Sequence, residues 1–383
     1  MRKTKRQTGI TLVALVVTII ILLILAGITI SSLTNTGLFG RAKEAKEKTQ
    51  NAEKNQQATL DSYEEQIGIA SGAKEYTSAK TITEAQTEGM LSKKINSTIT
   101  DEYGNKITVP AGFKITNDAT TVDKGIVIID SNENEFVWIP VGTIYTDTAK
   151  TESNAKTIEL GRYFFDETTG AKSAYSGNYV EEDKGNTNTT LKNYGNTIAK
   201  NITNFKTSVT TNGGYYIGRY EARTTTARTA SGDILTPITL KGTDQVYNYV
   251  TQLQASEQAQ NLYNSNKFTS DLMNSYAWDT ATLFLQTCGT NATYSRQNSL
   301  NTGSISQTGT NTQSIKDVQC NVYDMASNVR EWTTETTENS TYSCSHRGGG
   351  YLYNSDRTGS RSGELTSRSS NDIGFRPILY LSI

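Results

Sequence analysis

Hydrophobic positions are grouped along the chain in distinct ways. Ile10–Ile30 runs 21 residues without a charge or a proline, directly behind Arg2, Lys3, Lys5 and Arg6. About 20 apolar residues at 1.5 Å each cover the hydrocarbon core of a bilayer as a helix. The basic flank holds the leader on the cytoplasmic side, which puts everything after Ile30 outside. Past a turn-like SLTNTG, small or apolar residues recur at Ala42, Ala45, Ala52, Leu60, Tyr63 and Ile67, near the spacing of one helix face. No proline precedes Pro110, so the spacing predicts a stem helix reaching Ile67, about 85 Å from Ile10. Its apolar stripe is thin, so the helix either needs a partner surface or is a solvated spacer.

From about residue 98 the period changes to that of strands. ITVPAGFKIT, GIVIID and EFVWIPVG are strand-like, and SNENE between the last two predicts a hairpin. GGYYIGRYEAR reads as a further strand. Ser270–Gly289 reads as an amphipathic helix with Leu272, Tyr276, Thr280 or Ala281, and Leu283 on one side. Residues 146–213 and 289–317 are rich in polar and turn residues and read as loops around short elements. The expected organisation is α+β: a leader over 1–9, a transmembrane and stem helix over 10–67, a linker with a short helix over 68–97, and a mixed domain over 98–383.

Charge and composition narrow the function. A net charge of −1 leaves no nucleic-acid footprint. Three cysteines are an odd number for an exported chain, so at most one internal disulfide forms. Cys320 and Cys344 bracket YDMASN and are the candidate pair, with Cys288 free. The single histidine, His346, cannot supply a multi-histidine metal site and reads as structural. Trp138 and Trp332 lie in strand-like runs and read as core.

KRQTGITLVALVVTIIILLILAGITI resembles the type IV prepilin leader and stem. The resemblance implies cleavage between Gly9 and Ile10 by a prepilin peptidase, methylation of Ile10, and assembly with other pilin subunits. It implies a path from the membrane, through residues 10–30, to the cell surface or a pilus. The family usually carries a glutamate four residues beyond the cut, where this chain has Ala14. That departure points to a minor pilin, tip protein or pseudopilin. A plain signal anchor is the alternative.

FVWIPVG, GGYYIGRYEA, YAWDTATLFL, YDMASNVREWTTE, RGGGY and SNDIGFRPIL follow one another in that order. Together they resemble the formylglycine-generating-enzyme-like (sulfatase-modifying factor) domain, a variant of the C-type lectin fold, over about residues 100–383. In catalytic members two cysteines shortly after the RGGS-like motif bind copper. Here Arg347–Pro377 contains no cysteine, so the resemblance implies no catalytic thiolates and no enzyme. The family also implies a structural calcium held by the side chains of Asp324 and Glu331 and the carbonyls of Ser327 and Val329, a hard-oxygen set that suits the ion.

Between RGGG and GFRP the fold implies an exposed face, carried here by Tyr351, Tyr353, Asn354, Asp356, Arg357, Arg361 and Arg368. Such Tyr, Asn, Ser and Arg mixtures are what adaptable binding surfaces use. The stretch also resembles the diversified segment in the variable proteins of diversity-generating retroelements. The expected function is a pilin-like surface protein displaying a non-catalytic, lectin-fold binding or adhesion domain. The alternatives are a membrane-anchored formylglycine-generating-type enzyme and a structural pilus subunit.

Overall fold

The computed structural model describes residues 48–49, 52, 56, 79–88, 95–181, 201–298, 317–337, 341–353 and 355–382. The chain divides into two compact units, Met1–Glu64 and Glu65–Ile383. In the first, residues 48, 49, 52 and 56 are described and all are helical. The leader, Gly9, Ile10, the apolar run to Ile30 and the remainder of the expected stem lie outside the described residues. Among the described residues no helix is long and apolar enough to cross a membrane.

Among its described residues the second unit is built on a six-stranded and a four-stranded sheet, together with five two-stranded ribbons. In chain order the strands of the two larger sheets are β1 (Lys114–Ile115), β2 (Val127–Ile129), β3 (Glu135–Pro140), β4 (Gly214–Gly218), β5 (Phe268–Leu272), β6 (Arg330–Thr336), β7 (Cys344–Arg347), β8 (Arg361–Glu364), β9 (Ile373–Phe375) and β10 (Pro377–Leu381). The first sheet has the order β5-β10-β4-β3-β2-β1, and the second has the order β8-β7-β6-β9. Its β6 and β9 run parallel, while β7 is antiparallel to both β6 and β8. The expected hairpin is present: Val127 faces Val137 and Ile129 faces Glu135. Asp130 closes its turn by accepting from the backbone N–H of Asn132 and Asn134, both at 2.8 Å, which is why an Asx residue opens that loop. The central strands FVWI, YYI and ILYL are buried on both faces, so they read as continuous apolar runs rather than as alternation.

Among the described residues of this unit four α-helices accompany the sheets: α1 (Ile82–Glu88), α2 (Ile202–Asn212), α3 (Gln252–Gln260) and α4 (Ser275–Cys288). Two sequence expectations are corrected here. The helix expected from Ser270 begins at Ser275. Phe268–Leu272 instead pairs with β10, Phe268 facing Leu381 and Leu272 facing Pro377. Asn274 then caps the helix by accepting from the N–H of Ala277 at 2.9 Å. The helix is also buried on nearly every side from Ala277 to Leu285, so it is a core helix rather than an amphipathic one. Second, the expected linker contains packed structure. Ile82 and Ala85 of α1 sit in the main core, and Gln86 donates to the carbonyls of Thr116 (2.6 Å) and Ala119 (2.8 Å). The packed domain therefore starts before residue 98.

Trp138, Trp278 and Trp332 are fully buried. Trp278 Nε1 donates to the Thr358 carbonyl and Trp332 Nε1 to that of Val250, both at 2.8 Å, so two large side chains satisfy their polar atom inside the core. The cysteine expectation also changes. Cys344 on β7 belongs to a cluster with Ala222, Leu272 and Trp332, whereas Cys320 and Cys288 both pack against the main core. No two of the three cysteines are bonded in this structure, and Cys320 and Cys344 lie in separate clusters.

Candidate functional site

The segment between RGGG and GFRP is held from beneath by an ion network. Arg347 on β7 pairs with Asp279 of α4 and lies 3.5 Å from Glu335 on β6. Arg361 on β8 bridges the same two carboxylates, at 2.9 Å from Asp279 and 2.7 Å from Glu335. Arg162 adds a third cation to Glu335 at 2.8 Å. Burial alone would raise the Glu335 carboxyl, but the charges of Arg361, Arg347 and Arg162 outweigh it and hold the group below its ordinary range. The Arg361 guanidinium also stacks on Tyr175, 3.8 Å from the ring centre. Arg361 is therefore a tie between sheet and helix. Its expected place on an exposed binding surface is corrected, because its charge is used up inside.

The three glycines after Arg347 run against the YDMASN segment. Gly348 has φ +82, and a Cβ there would meet the Met325 carbonyl at 2.7 Å. A Cβ on Gly349 would lie well inside van der Waals contact distance of the Ala326 carbonyl oxygen. The backbone then bonds from Tyr351 N–H to the Asn328 carbonyl at 2.8 Å. Tyr351 is only 8% exposed and packs with Val246 and Val329, so it too is an anchor rather than a contact residue.

What remains on the outside is a different set. Leu352 is 50% exposed and Tyr353 42%. The Tyr353 ring lies over the buried Arg330 guanidinium, 4.4 Å from its centre. Arg330 pairs with Asp372, and Asp372 lies 3.6 Å from Arg368. The Arg368 N–H bonds to the carbonyl of Leu365, which is exposed at the end of β8. A Cβ added to Gly363, two residues earlier, would lie 3.1 Å from exposed Tyr342. Tyr353 and Arg368 are thus joined through Arg330 and Asp372 into one strip, and Leu365 and Tyr342 are exposed near the end of β8 and the start of β7. Asp356 faces Arg330 at 3.8 Å, and burial, ahead of that attraction, raises its carboxyl. Arg357 is turned away and pairs with Glu167 at 2.7 Å. Asn354 lies outside the described residues. Sequence reasoning missed Arg330, Leu352, Leu365 and Tyr342. Nothing in the local pattern marks an apolar residue as left outside, since only the register of β7 and β8 decides it.

His346 is buried on β7 with its Nε2 3.3 Å from Arg330 Nη1. Burial, then the charges of Arg330, Arg347 and Arg368, push its pKa well below the usual imidazole value, so it stays neutral and structural.

The four residues expected to hold calcium lie in one segment, and the carboxylates of Asp324 and Glu331 are buried facing guanidinium groups. Glu331 is bidentate with Arg376, at 2.6 and 3.1 Å. Asp324 accepts from Ser327 Oγ at 2.9 Å and faces Arg223 at 3.8 Å. Val329 N–H donates to Glu221 at 3.1 Å. Arg376 is thus paired with Glu331 and Arg223 stands near Asp324, and among the described residues no group of three His, Cys, Asp or Glu side chains is arranged to hold a metal. Asp317 completes the cluster, accepting from Tyr294 Oη (2.6 Å), Ser327 Oγ (2.8 Å) and Ala326 N–H (2.8 Å).

Burial, followed by the Asp324 charge, pushes the Asp317 carboxyl up to about 6. A carboxyl raised on folding stabilises fully below its unfolded pKa, and that contribution is lost as pH rises through the folded value. Lowering the pH from 7 towards 5 is therefore expected to stabilise the wild type relative to Asp317→Asn by about 1 kcal/mol. Denaturant melts of both proteins across that range check it; parallel pH profiles would contradict it.

A mixed, β-rich domain with a helix buried between strand layers, and a glycine-rich crossing that supports an exposed strip, defines a lectin-type scaffold. Residues 129–380 match the sulfatase-modifying factor enzyme 1-like domain, and the chain belongs to that family. No curated protein matches it. Among solved structures, Treponema denticola variable protein 1 is 12% identical, with 70% of this chain and 98% of that chain covered at a TM-score of 0.35. CarF is 18% identical, with 30% of this chain and 48% of that chain covered at a TM-score of 0.21.

Proposed function

We propose that this chain is a pilin-like surface protein whose lectin-type domain binds a macromolecular partner without catalysis. The observation that carries the binding half is the strip of Tyr353 on Arg330, joined through Asp372 to Arg368, with Leu352 exposed beside Tyr353. Aromatic and arginine side chains supply most interface energy, and here their orientation is fixed by buried anchors. The non-catalytic half is supported by the thiols. Cys288 and Cys344 are each pushed up to about 12, chiefly by burial, and no cysteine lies between Arg347 and Pro377. A thiol so rarely ionised is a poor nucleophile and a poor copper ligand. The surface address is supported by the basic leader, Gly9 and the apolar run from Ile10. The diversified-segment reading fits the same strip, since Leu352, Tyr353 and Leu365 are outside while Tyr351 and Arg361 are inside.

The test is one experiment on intact cells. Filaments sheared from them are expected to contain this chain beginning at Ile10. Cells carrying Tyr353→Ala with Arg368→Ala are expected to display equal protein and attach to partner surfaces at least tenfold less. Attachment indifferent to the pair, or turnover of a cysteine-containing sulfatase peptide with copper, would overturn the binding reading. A mature chain that keeps Gly9 would overturn the pilin reading alone.

A further inference from the structure

We propose that Cys288 and Cys320 are joined by a disulfide that closes as the chain folds, with a disulfide of the glutathione class as oxidant. The helix α4 ends at Cys288, where Gly289 N–H bonds back to the Leu285 carbonyl at 2.9 Å. The next residues are stitched to the strand that leads into Cys320. Gln319 Oε1 accepts from the N–H of Thr290 at 2.7 Å and of Asn291 at 3.3 Å. Gly289 lies against that same carboxamide, with no room for a Cβ. One residue on, Cys320 takes φ 44, its carbonyl against Gly125 and its Sγ 3.4 Å from the Asp123 carbonyl.

Both thiols therefore enter one corner of the main core, beside Asp123, whose buried Oδ1 has no hydrogen-bond partner. Each is close enough to feel the Asp123 charge, and Cys320 feels that of Cys288. Cys344 sits in the other cluster and is left over. This replaces the pairing expected from sequence spacing, which could not know that residues 288–291 and 319–320 lie side by side.

The chemistry is ordinary exchange. One cysteine thiolate attacks oxidised glutathione, releasing one glutathione thiolate and leaving a mixed disulfide. The second thiolate attacks the protein sulfur of that intermediate and releases the other. Two protein thiols give up two protons and two electrons, and one disulfide becomes two thiols. In the folded, reduced protein burial raises both thiols, Cys288 to about 12, so few thiolates exist and exchange is slow. The bond is then made on the way to the folded state, and exported proteins meet an oxidising environment during that interval.

The full chain, reduced and denatured in detergent, is refolded in a glutathione redox buffer, alkylated and mapped without reduction. The expected product is a Cys288–Cys320 linked peptide, with Cys344 alkylated once the protein is denatured. The linked protein should melt several degrees higher than the same protein refolded with reductant. Cys288→Ser should leave Cys320 fully alkylated. Cys344 bonded to either partner, or three free thiols in wild-type protein refolded under oxidant, would overturn the assignment, and neither result depends on a variant that folds.

Discussion

Glu335→Ala is expected to cost the domain most or all of its stability. The carboxylate is fully buried and faces Arg162, Arg347 and Arg361. Its loss leaves Arg347 and Arg361 sharing Asp279, and Arg162 bonded to the Tyr179 carbonyl. Breaking one buried pair by removing one partner costs about 3–5 kcal/mol. Here one deletion orphans several contacts, against a total stability of about 5–15 kcal/mol for ordinary domains. Glu335→Gln keeps the shape and removes the charge, so it separates electrostatics from packing. Thermal or denaturant melts of the full chain in detergent measure both. A Glu335→Ala protein melting within a few degrees of wild type would show that water reaches the network and that its arginines are solvated.

The second large effect is expected at the glycine crossing. Gly349→Ala sets a methyl against the Ala326 carbonyl, a backbone atom that cannot swing aside. Overpacking of this kind costs about 1–3 kcal/mol and sometimes more, and here the shift would pass directly to Tyr351 and the strip beyond it. Gly112→Ala is the control. Gly112 has φ +88 but nothing within 4 Å of a Cβ, so its substitution pays only for a left-handed backbone, about 1–2 kcal/mol. Melting and partner attachment should both fall for Gly349→Ala, and only melting, slightly, for Gly112→Ala. Equal losses for the two would mean that close approach contributes nothing at the crossing.

Much of this fold is legible in the sequence, and the failures have physical causes. The hairpin around SNENE reads correctly because turn chemistry and alternation are local: Asp130 needs only residues up to Asn134 to close its loop. The helix at Ser275 is carried too far back by the sequence pattern because DLMNSYAW holds residues that suit either period. Its start is fixed by the pairing of Phe268–Leu272 with β10, more than a hundred residues away. The family motifs locate the face, but not its inside and outside. Tyr351 and Arg361 look like recognition residues by type, and become anchors because β7 and β8 turn them towards Val329, Glu335 and Asp279. Asp324 and Glu331 are calcium-like by type, and it is Arg376, near the other end of the motif series, that occupies Glu331. Long-range charge partners of this kind leave no periodic trace.

The alternation of anchored and free positions after the glycine crossing has a consequence for how such a surface changes over generations. Tyr351 and Arg361 are committed to the interior, and Leu352, Tyr353 and Leu365 to the solvent. Folding information and recognition information are thus written in the same short segment but on separate letters. Substitutions at the solvent letters can retune what the surface holds while every interior tie stays intact. Selection for a new partner then carries little penalty in misfolded protein, and a lineage can sample many surfaces from one scaffold.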